Sequence, residues 1–424
     1  MPTLRAIVAI AIAGAIAGAL TPAARAEQLL TESQLANMAI AANPQIKAAR
    51  AQWVSALHQI KQTLAPNDPA FTFINSDSPK NPVGRASLQT FSVSQAFQFP
   101  GKAFFQRDQA VRTAETAHLL LESTIRDLRA GVGMAYYQLL LDSALSVVNE
   151  ENIENLSRVE KVAEIANAGG QVTQTDVISA DFDLSAARQL QMQYRAGIAN
   201  DEAALNQFLY RPPGEPLAID RTLKLKPLAT AVDTLIDRAN TARQEILEAA
   251  LAQRNSDTAI TLAKMEYLPD FTVGVGIDNY LVANFAPRPS QPTDWITTVG
   301  FNVPVFFWMK QNEDVAKAKS DLEAARENLD SIRSQTAATV STIYRTAQMA
   351  YESAMLYRDS LTPLSRQDFS VALVAYQSGK IDFTTLSGVL QRHYNARVSF
   401  LQFANQFLAG RVALEQAIGA PLPQ

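Results

Sequence analysis

The chain has 424 residues, of which 47% are hydrophobic and 18% are charged, and its formal net charge at pH 7 is −4. This composition is typical of a folded protein, and it lacks the basic excess that a nucleic-acid-binding protein shows. The sequence contains no cysteine, which excludes disulfides, thiolate metal sites and a lipid attached to an N-terminal cysteine.

The N-terminus predicts a secretory signal peptide at residues 1–26. A positive residue, Arg5, precedes an apolar run from Ile7 to Leu20, and Ala24-Arg25-Ala26 has the small-x-small pattern of a cleavage site. The apolar run is shorter than the ~20 residues that cross a bilayer as a helix. We therefore expect export, with a mature chain that begins near Glu27.

The mature chain is predicted to be a duplication. Phe99 matches Phe307 at an offset of 208 residues, and Gly170 matches Gly379 at an offset of 209, a drift that suits duplication followed by small insertions. Prolines interrupt any helix in the segment between the two copies. The predicted limits are 27–210 for the first repeat, 211–232 for the linker and 233–424 for the second repeat.

Each repeat is predicted to run through a helix, two strands, a very long helix, a tight turn and a returning helix. In the first repeat these are a helix at about 33–65, strands at about 69–77 and 87–99, the long helix at 103–168 and the return helix at 173–209. In the second they are a helix at about 235–267, strands at about 269–278 and 295–306, the long helix at 310–378 and the return helix at 383–417.

The long helices carry apolar residues in steps of three and four, from Val111 to Leu139 in the first and from Val315 to Ile332 in the second. An average step of about 3.5 residues is the coiled-coil period. At about 1.5 Å per residue, each helix reaches roughly 100 Å. Each repeat is therefore expected to form a giant helical hairpin whose turn contains Gly170 or Gly379.

The predicted strands alternate between apolar and small polar residues, as in Phe91-Ser92-Val93-Ser94. This pattern fits a barrel between lipid and water, and also a half-buried sheet in a soluble protein. Four strands cannot close a barrel, since the smallest have about eight, so a barrel would need several chains. Pro100, Gly101 and Lys102 are expected to turn the chain from strand to helix at the inner membrane surface.

Aromatic residues cluster where the strands meet the long helices, among them Phe104, Phe306, Phe307 and Trp308. They suit either an aromatic belt at the membrane interface or packing at the junction between barrel and helices. His58, His118 and His393 are isolated in sequence, without the spacing of a metal site. We expect no catalytic residue, no metal site and no cofactor.

The phrases QAFQFPGK, GGQVTQTDVISAD, ALNQFLYRPPGEPL and YQSGKIDFTTLSGVL occur in the order seen in a known family. Over essentially the whole mature chain, the sequence resembles the TolC-like outer-membrane efflux channels, and within them the heavy-metal efflux branch. The resemblance implies a mainly α fold with a small β part. Three chains would form a 12-stranded outer-membrane β-barrel, continued by a periplasmic α-helical barrel.

The resemblance also implies partners and a function. The homotrimer would be a passive exit duct in outer-membrane lipid. Its periplasmic end would dock on a periplasmic adaptor, which connects it to an inner-membrane pump of the RND type. Its cargo would be heavy-metal cations. A channel for drug efflux or type I protein secretion is the alternative. A periplasmic coiled-coil adaptor, a different class, is disfavoured because adaptors usually carry one hairpin.

Residues at the two hairpin turns are the candidates for a gate at the periplasmic tip. Some family members place acidic residues six and nine positions after the second turn glycine, where this chain has Thr385 and Gly388. We hypothesise that charged residues near the turns line or latch the entrance instead, because like charges that symmetry brings together repel. The candidates are Gly170, Asp176, Gly379, Lys380, Asp382 and Thr385.

Overall fold

The computed structural model of the chain describes residues 29–77, 86–282 and 294–423. The predicted signal peptide at 1–26, the proline-rich loop at 78–85 and most of the second such loop at 284–294 lie outside the described residues. Within the described ranges, no helix has an apolar stretch long enough to cross a bilayer.

The two repeats follow one order of secondary-structure elements, except that the long helix of the second repeat is divided into three parts. The first contains α1 (Glu32–Ala42), α2 (Pro44–Thr63), β1 (Ala70–Asp77), β2 (Ala86–Phe97), α3 (Lys102–Ala168) and α4 (Gln174–Phe208). The second contains α5 (Val232–Ala242), α6 (Gln244–Met265), β3 (Phe271–Val282), β4 (Asp294–Phe301), α7 (Gln311–Leu356), a π-helical turn (Tyr357–Leu361), α8 (Thr362–Gln377) and α9 (Phe383–Ile418).

The prediction of one helix at 33–65 and one at 235–267 was wrong, because the structure has two helices in each of these ranges. Asn43 leaves the helix before Pro44, and its side-chain oxygen accepts a hydrogen bond from the Gln45 N–H at 2.8 Å. Arg243 divides the second helix without a proline, with φ −71° and ψ 123°. Its guanidinium donates to the carbonyl of Ala417 at 3.0 Å, so contact with α9 stabilises a break that local sequence does not signal.

Two strands end earlier than predicted. β2 ends at Phe97 because the N–H of Phe99 donates to the Asp270 carboxylate at 2.7 Å instead of continuing the ladder. β4 ends at Phe301, not at residue 306, because Pro304 has no N–H and the Val305 N–H bonds back to the Val303 carbonyl at 2.8 Å.

The long helix expected at 310–378 is interrupted by the π-helical turn. Pro363 lacks the N–H that would bond to the carbonyl four residues earlier, and the wider turn accommodates this loss. As a result, the side chains of α8 are shifted by one residue relative to the helical repeat of α7.

The described strands form one antiparallel sheet in the order β1-β2-β3-β4. Phe71 lies opposite Val93, which lies opposite Val275, so apolar side chains share one face. On that face Phe71 and Trp295 are each 80% exposed. The other face is lined by small residues such as Ser92 and Gly276. At Gly276 an added Cβ would lie 2.9 Å from the Phe91 carbonyl oxygen, so only glycine fits there. In the described chain, β1 and β4 are paired on one side only.

The helices extend away from the sheet as one layer. Near the sheet, α3 packs against α2 and α6, and α6 packs against α7; farther away, α3 packs against α4 and α9, and α9 packs against α7 and α8. The predicted seam of α3 is the packed side of that helix, with Ala114, Leu121, Leu128, Val132 and Leu139 buried. At the far end the edges of the layer are α4 and the α7–α8 segment.

Candidate functional site

The first hairpin turn, between α3 and α4, is closed by Gly170 and capped by Asp176. Gly170 has φ +68°, and the following N–H, of Gln171, bonds to the Ala166 carbonyl at 2.9 Å. Helix α4 then starts with a reciprocal cap. The Asp176 carboxylate accepts the Thr173 N–H at 2.9 Å, and the Thr173 hydroxyl accepts the Asp176 N–H at 3.3 Å.

The second turn repeats this geometry with different side chains. Gly379 has φ +67°, and the Lys380 N–H bonds to the Ala375 carbonyl at 2.9 Å. Asp382 is the N-cap of α9, and its carboxylate accepts the Thr385 N–H at 2.8 Å. Hydrogen bonds from Thr385 hold the pKa of Asp382 below its usual range. Lys380 is exposed on the turn.

The two turns share one apolar core at the tip of the layer. Val172 and Val177 of the first turn and Ile381 and Phe383 of the second pack into the same cluster, together with Tyr376. The Tyr376 hydroxyl is buried without a hydrogen-bond partner within the described residues. Burial, together with the nearby Asp176 carboxylate, raises the pKa of Tyr376. The structure therefore brings Asp176 close to the second turn, while Asp176 and Asp382 both stabilise helix starts.

The second candidate site is the junction between sheet and helices. Gly101 has φ +105°, and an added Cβ would lie 3.0 Å from the Met265 side chain, so the turn after Pro100 favours glycine. Lys102 is buried, with 2% of its surface exposed. Its ammonium lies 3.0 Å from the Asp270 carboxylate and 3.2 Å from that of Glu266.

This ion triad joins the two repeats. Lys102 starts α3 of the first repeat, whereas Glu266 and Asp270 lie between α6 and β3 of the second. The Asp270 carboxylate also accepts the N–H of Phe99, the residue after which the chain turns. One carboxylate therefore fixes both the end of β2 and the start of α3.

Comparison with known proteins decides the family. The outer membrane efflux protein family model matches residues 35–209 and again residues 235–420. The chain belongs to the outer membrane efflux protein family. It is an outer-membrane efflux channel protein with a large periplasmic helical part.

Individual outer membrane efflux proteins are similar to this chain over nearly its whole length. The cobalt-zinc-cadmium resistance protein CzcC of Cupriavidus metallidurans is 18% identical over 391 residues, which are 92% of this chain and 90% of that protein. The outer-membrane channel OprN superposes with a TM-score of 0.78 at 17% identity, covering 92% of this chain and 90% of that one. CusC superposes with a TM-score of 0.76 at 15% identity, covering 92% of each chain.

The sequence predicted the junction turn of this outer membrane efflux protein but missed two of its residues, Glu266 and Asp270. A signal was present, because Lys102 stands at the N-terminus of a long helix, where the helix dipole disfavours a cation. A lysine in that position indicates a nearby anion. It does not indicate which residue supplies it.

Replacing Lys102 with Met leaves both carboxylates without their cation. We expect Lys102→Met to lower the free energy of unfolding by about 1–3 kcal/mol, since a charged hydrogen-bond partner is lost at a buried position. Chemical unfolding of the detergent-solubilised protein measures this. Lys310→Met, at the equivalent but exposed position of the second repeat, is the matched control. Equal stability of the two variants would contradict a structural role for the triad.

Proposed function

We propose that three copies of this chain close into one tube that is the exit duct of a tripartite efflux system for divalent metal cations. The observation that carries the proposal is that both the sheet and the helical layer end in edges without a partner in the described chain. Identical neighbours supply the missing partner on both sides.

The sheet edges favour closure by further copies. β1 and β4 each present unpaired N–H and C=O groups along one side. Hydrocarbon cannot satisfy these groups, so strands in a bilayer occur in closed barrels. The apolar face that includes Phe71 and Trp295 would meet lipid. Three sheets of four strands give a barrel of twelve.

Each edge of the helical layer carries an exposed stripe that is mostly apolar. On α4, exposed residues recur in steps of three and four, the coiled-coil spacing. The stripe consists of Ile178, Phe182, Ser185, Gln189, Met192, Ala196 and Ala199. Along α7 and α8 the exposed residues Met349, Leu356, Leu364 and Val371 also share one side. The interval from Leu356 to Leu364 is one residue longer than a heptad, which the π-helical turn absorbs.

The periplasmic tip is the surface proposed to dock on the adaptor. Exposed apolar residues flank the two turns, including Ile165 before the first and Val374 before the second. An adaptor with a coiled-coil end would cover them. The channel itself conducts passively, and an inner-membrane pump of the RND type supplies the energy.

The proposed cargo rests on two observations. The relative CzcC is named a cobalt-zinc-cadmium resistance protein. In addition, Asp278 and Asp294 lie opposite each other on the face of the sheet that would line the pore, where the Thr90 hydroxyl donates to Asp278 at 2.5 Å. Carboxylates that line a pore favour the passage of cations.

The charges at the tip are proposed to control the entrance. Three-fold symmetry would bring three copies of Asp176, Lys380 and Asp382 around one axis. Like charges repel, and pairs between neighbouring chains attract, so these residues bias the tip between a closed and an open state. Their capping bonds to Thr173 and Thr385 fix the positions of the two carboxylates.

A carboxylate in the α4 stripe should prevent assembly. We expect Phe182→Glu to leave the helical content of the chain intact and to abolish the trimer, because the charge would be buried in an apolar contact without a partner. Circular dichroism and sedimentation in detergent measure the two properties. Gln193→Glu, exposed on α4 outside the stripe, is the control and should still assemble. Trimers of both variants would contradict the proposed contact.

Removal of the gene from its host should reduce tolerance of cobalt, zinc or cadmium, because the pump loses its exit. Minimal inhibitory concentrations measure the effect, and supply of the intact gene should restore tolerance. Reduced tolerance of hydrophobic dyes with unchanged tolerance of all three metals would identify the channel as a drug efflux duct instead.

The role of the tip charges requires variants that keep the helix caps. Asp382→Ser retains an N-cap and Asp176→Asn retains a hydrogen-bond acceptor, so both remove charge with little effect on the turn. We expect the double variant to open more readily, because the attraction between neighbouring chains is lost, and to lose its preference for cations. Lys380→Gln should also change the opening. Single-channel recordings of each variant measure these properties. Conductance, selectivity and opening that are unchanged in all variants would reject a gating role.

A further inference from the structure

An extended segment of the linker crosses the helical layer near the middle of α3. We call residues 222–228, with the sequence TLKLKPL, the crossing segment. Its leucines alternate with its lysines, as in an extended chain with two faces. The leucines pack on apolar clusters formed by α3, α7 and α9. Lys224 and Lys226 are exposed on the opposite side.

The backbone of the crossing segment has free hydrogen-bonding groups. Just before it, the Asp220 N–H bonds to the Leu30 carbonyl at 3.0 Å, in a short parallel bridge. From Leu223 to Lys226, no backbone N–H bonds to another backbone group within the described residues. An exposed extended chain of this kind can pair with a second extended chain.

A cationic cavity of about 410 Å³ lies beside the crossing segment. The C-terminal end of the chain, at residues 422–423, forms another part of its wall. Lys224, Lys226 and Arg411 of α9 line the cavity, and none of the described residues around it is acidic. None of these three cations takes part in an ion pair within the described residues.

The carboxylates near the cavity do not neutralise these cations, because each accepts a hydrogen bond from another part of the chain. These bonds run from the Tyr137 hydroxyl to Glu32 at 2.7 Å, from the Leu422 N–H to Glu415 at 3.1 Å and from the Thr222 N–H to Asp220 at 3.0 Å. The three cations therefore repel one another across the cavity, and an anion from outside the chain would relieve that repulsion.

The position of the cavity indicates the source of that anion. Tyr137, which lines the cavity, lies roughly 50 Å from the start of α3 at Lys102, at about 1.5 Å per residue. The hairpin turns lie a similar distance away in the other direction. Outer-membrane lipid and the adaptor proposed at the tip are therefore both remote. A tube that extends this far from the outer membrane must pass through the peptidoglycan layer, whose short peptide stems carry free carboxylates.

We infer that the cavity and the crossing segment bind the peptide stems of peptidoglycan. Lys224, Lys226 and Arg411 bind the stem carboxylates, and the free backbone groups of the segment pair with the stem backbone. The segment lies outside the tube because inside it would obstruct the lumen, so the inference rests on the proposed function in this one respect. Three such sites around the tube would hold it upright in the cell wall.

Sedimentation with sacculi, the isolated peptidoglycan layer, tests this binding. Full-length protein in detergent is mixed with increasing amounts of sacculi, and the bound fraction is measured after centrifugation. The test variant is Lys224→Gln/Lys226→Gln. The control is Lys161→Gln/Lys264→Gln, which removes the same charge from exposed positions on α3 and α6. The mass of each particle is measured first, so that loss of binding by an intact trimer counts against this inference alone.

We expect the unchanged protein and the control to sediment with sacculi, and the test variant to bind about fivefold more weakly, the effect of losing two exposed ion pairs. Amidation of the stem carboxylates with glycinamide should abolish binding of the unchanged protein. Equal binding by the test and control variants would overturn the inference, because general attraction between charges would then explain it. Unchanged protein that does not sediment would overturn it as well. Binding of labelled hexaglutamate in that case, lost in the test variant, would assign the cavity to an acidic protein segment instead.

Discussion

The constraint on which the structure depends is that backbone N–H and C=O groups cannot remain unpaired in hydrocarbon. The described strands form a sheet with two open edges, β1 and β4, while one of its faces exposes Phe71, Trp295 and other large apolar residues. The exposed apolar face is stable only against lipid. In lipid, the backbone N–H and C=O groups of the two edge strands must have hydrogen-bond partners. A single chain cannot meet both requirements, and the proposal that identical chains complete the wall follows from this conflict.

The same logic extends into the periplasm through the junction. Lys102 links the end of β2 and the start of α3 to Asp270 and Glu266 of the other repeat, so the sheet fixes where the helical layer begins. The layer resembles the sheet in this respect, because it has packed helices in the middle and mostly apolar, exposed stripes at its edges. On α7 and α8 the π-helical turn keeps that stripe on one side despite Pro363. The proposed barrel and the proposed helical tube would therefore need the same neighbouring chains.

The sequence was sufficient to predict the order of the elements, the strand faces and the two turns, because these depend on local patterns. Alternation of Phe91 and Val93 with serines, and glycines at 170 and 379, each have one simple conformational consequence. The division at Arg243, the early end of β2 and the partners of Lys102 depend on residues far away in the chain, and no local pattern encodes them. At the tip, the sequence predicted Asp176 and Asp382 as charged gate candidates but not that both cap helices, since the boundaries of the helices had to be known first.

The mass of the purified full-length protein in detergent, corrected for bound detergent, tests closure by identical chains most directly. Closure by identical chains predicts a stable particle with three times the mass of the mature chain, which dissociates only when the fold is lost. A particle with the mass of one chain that stays folded and soluble without detergent would contradict it.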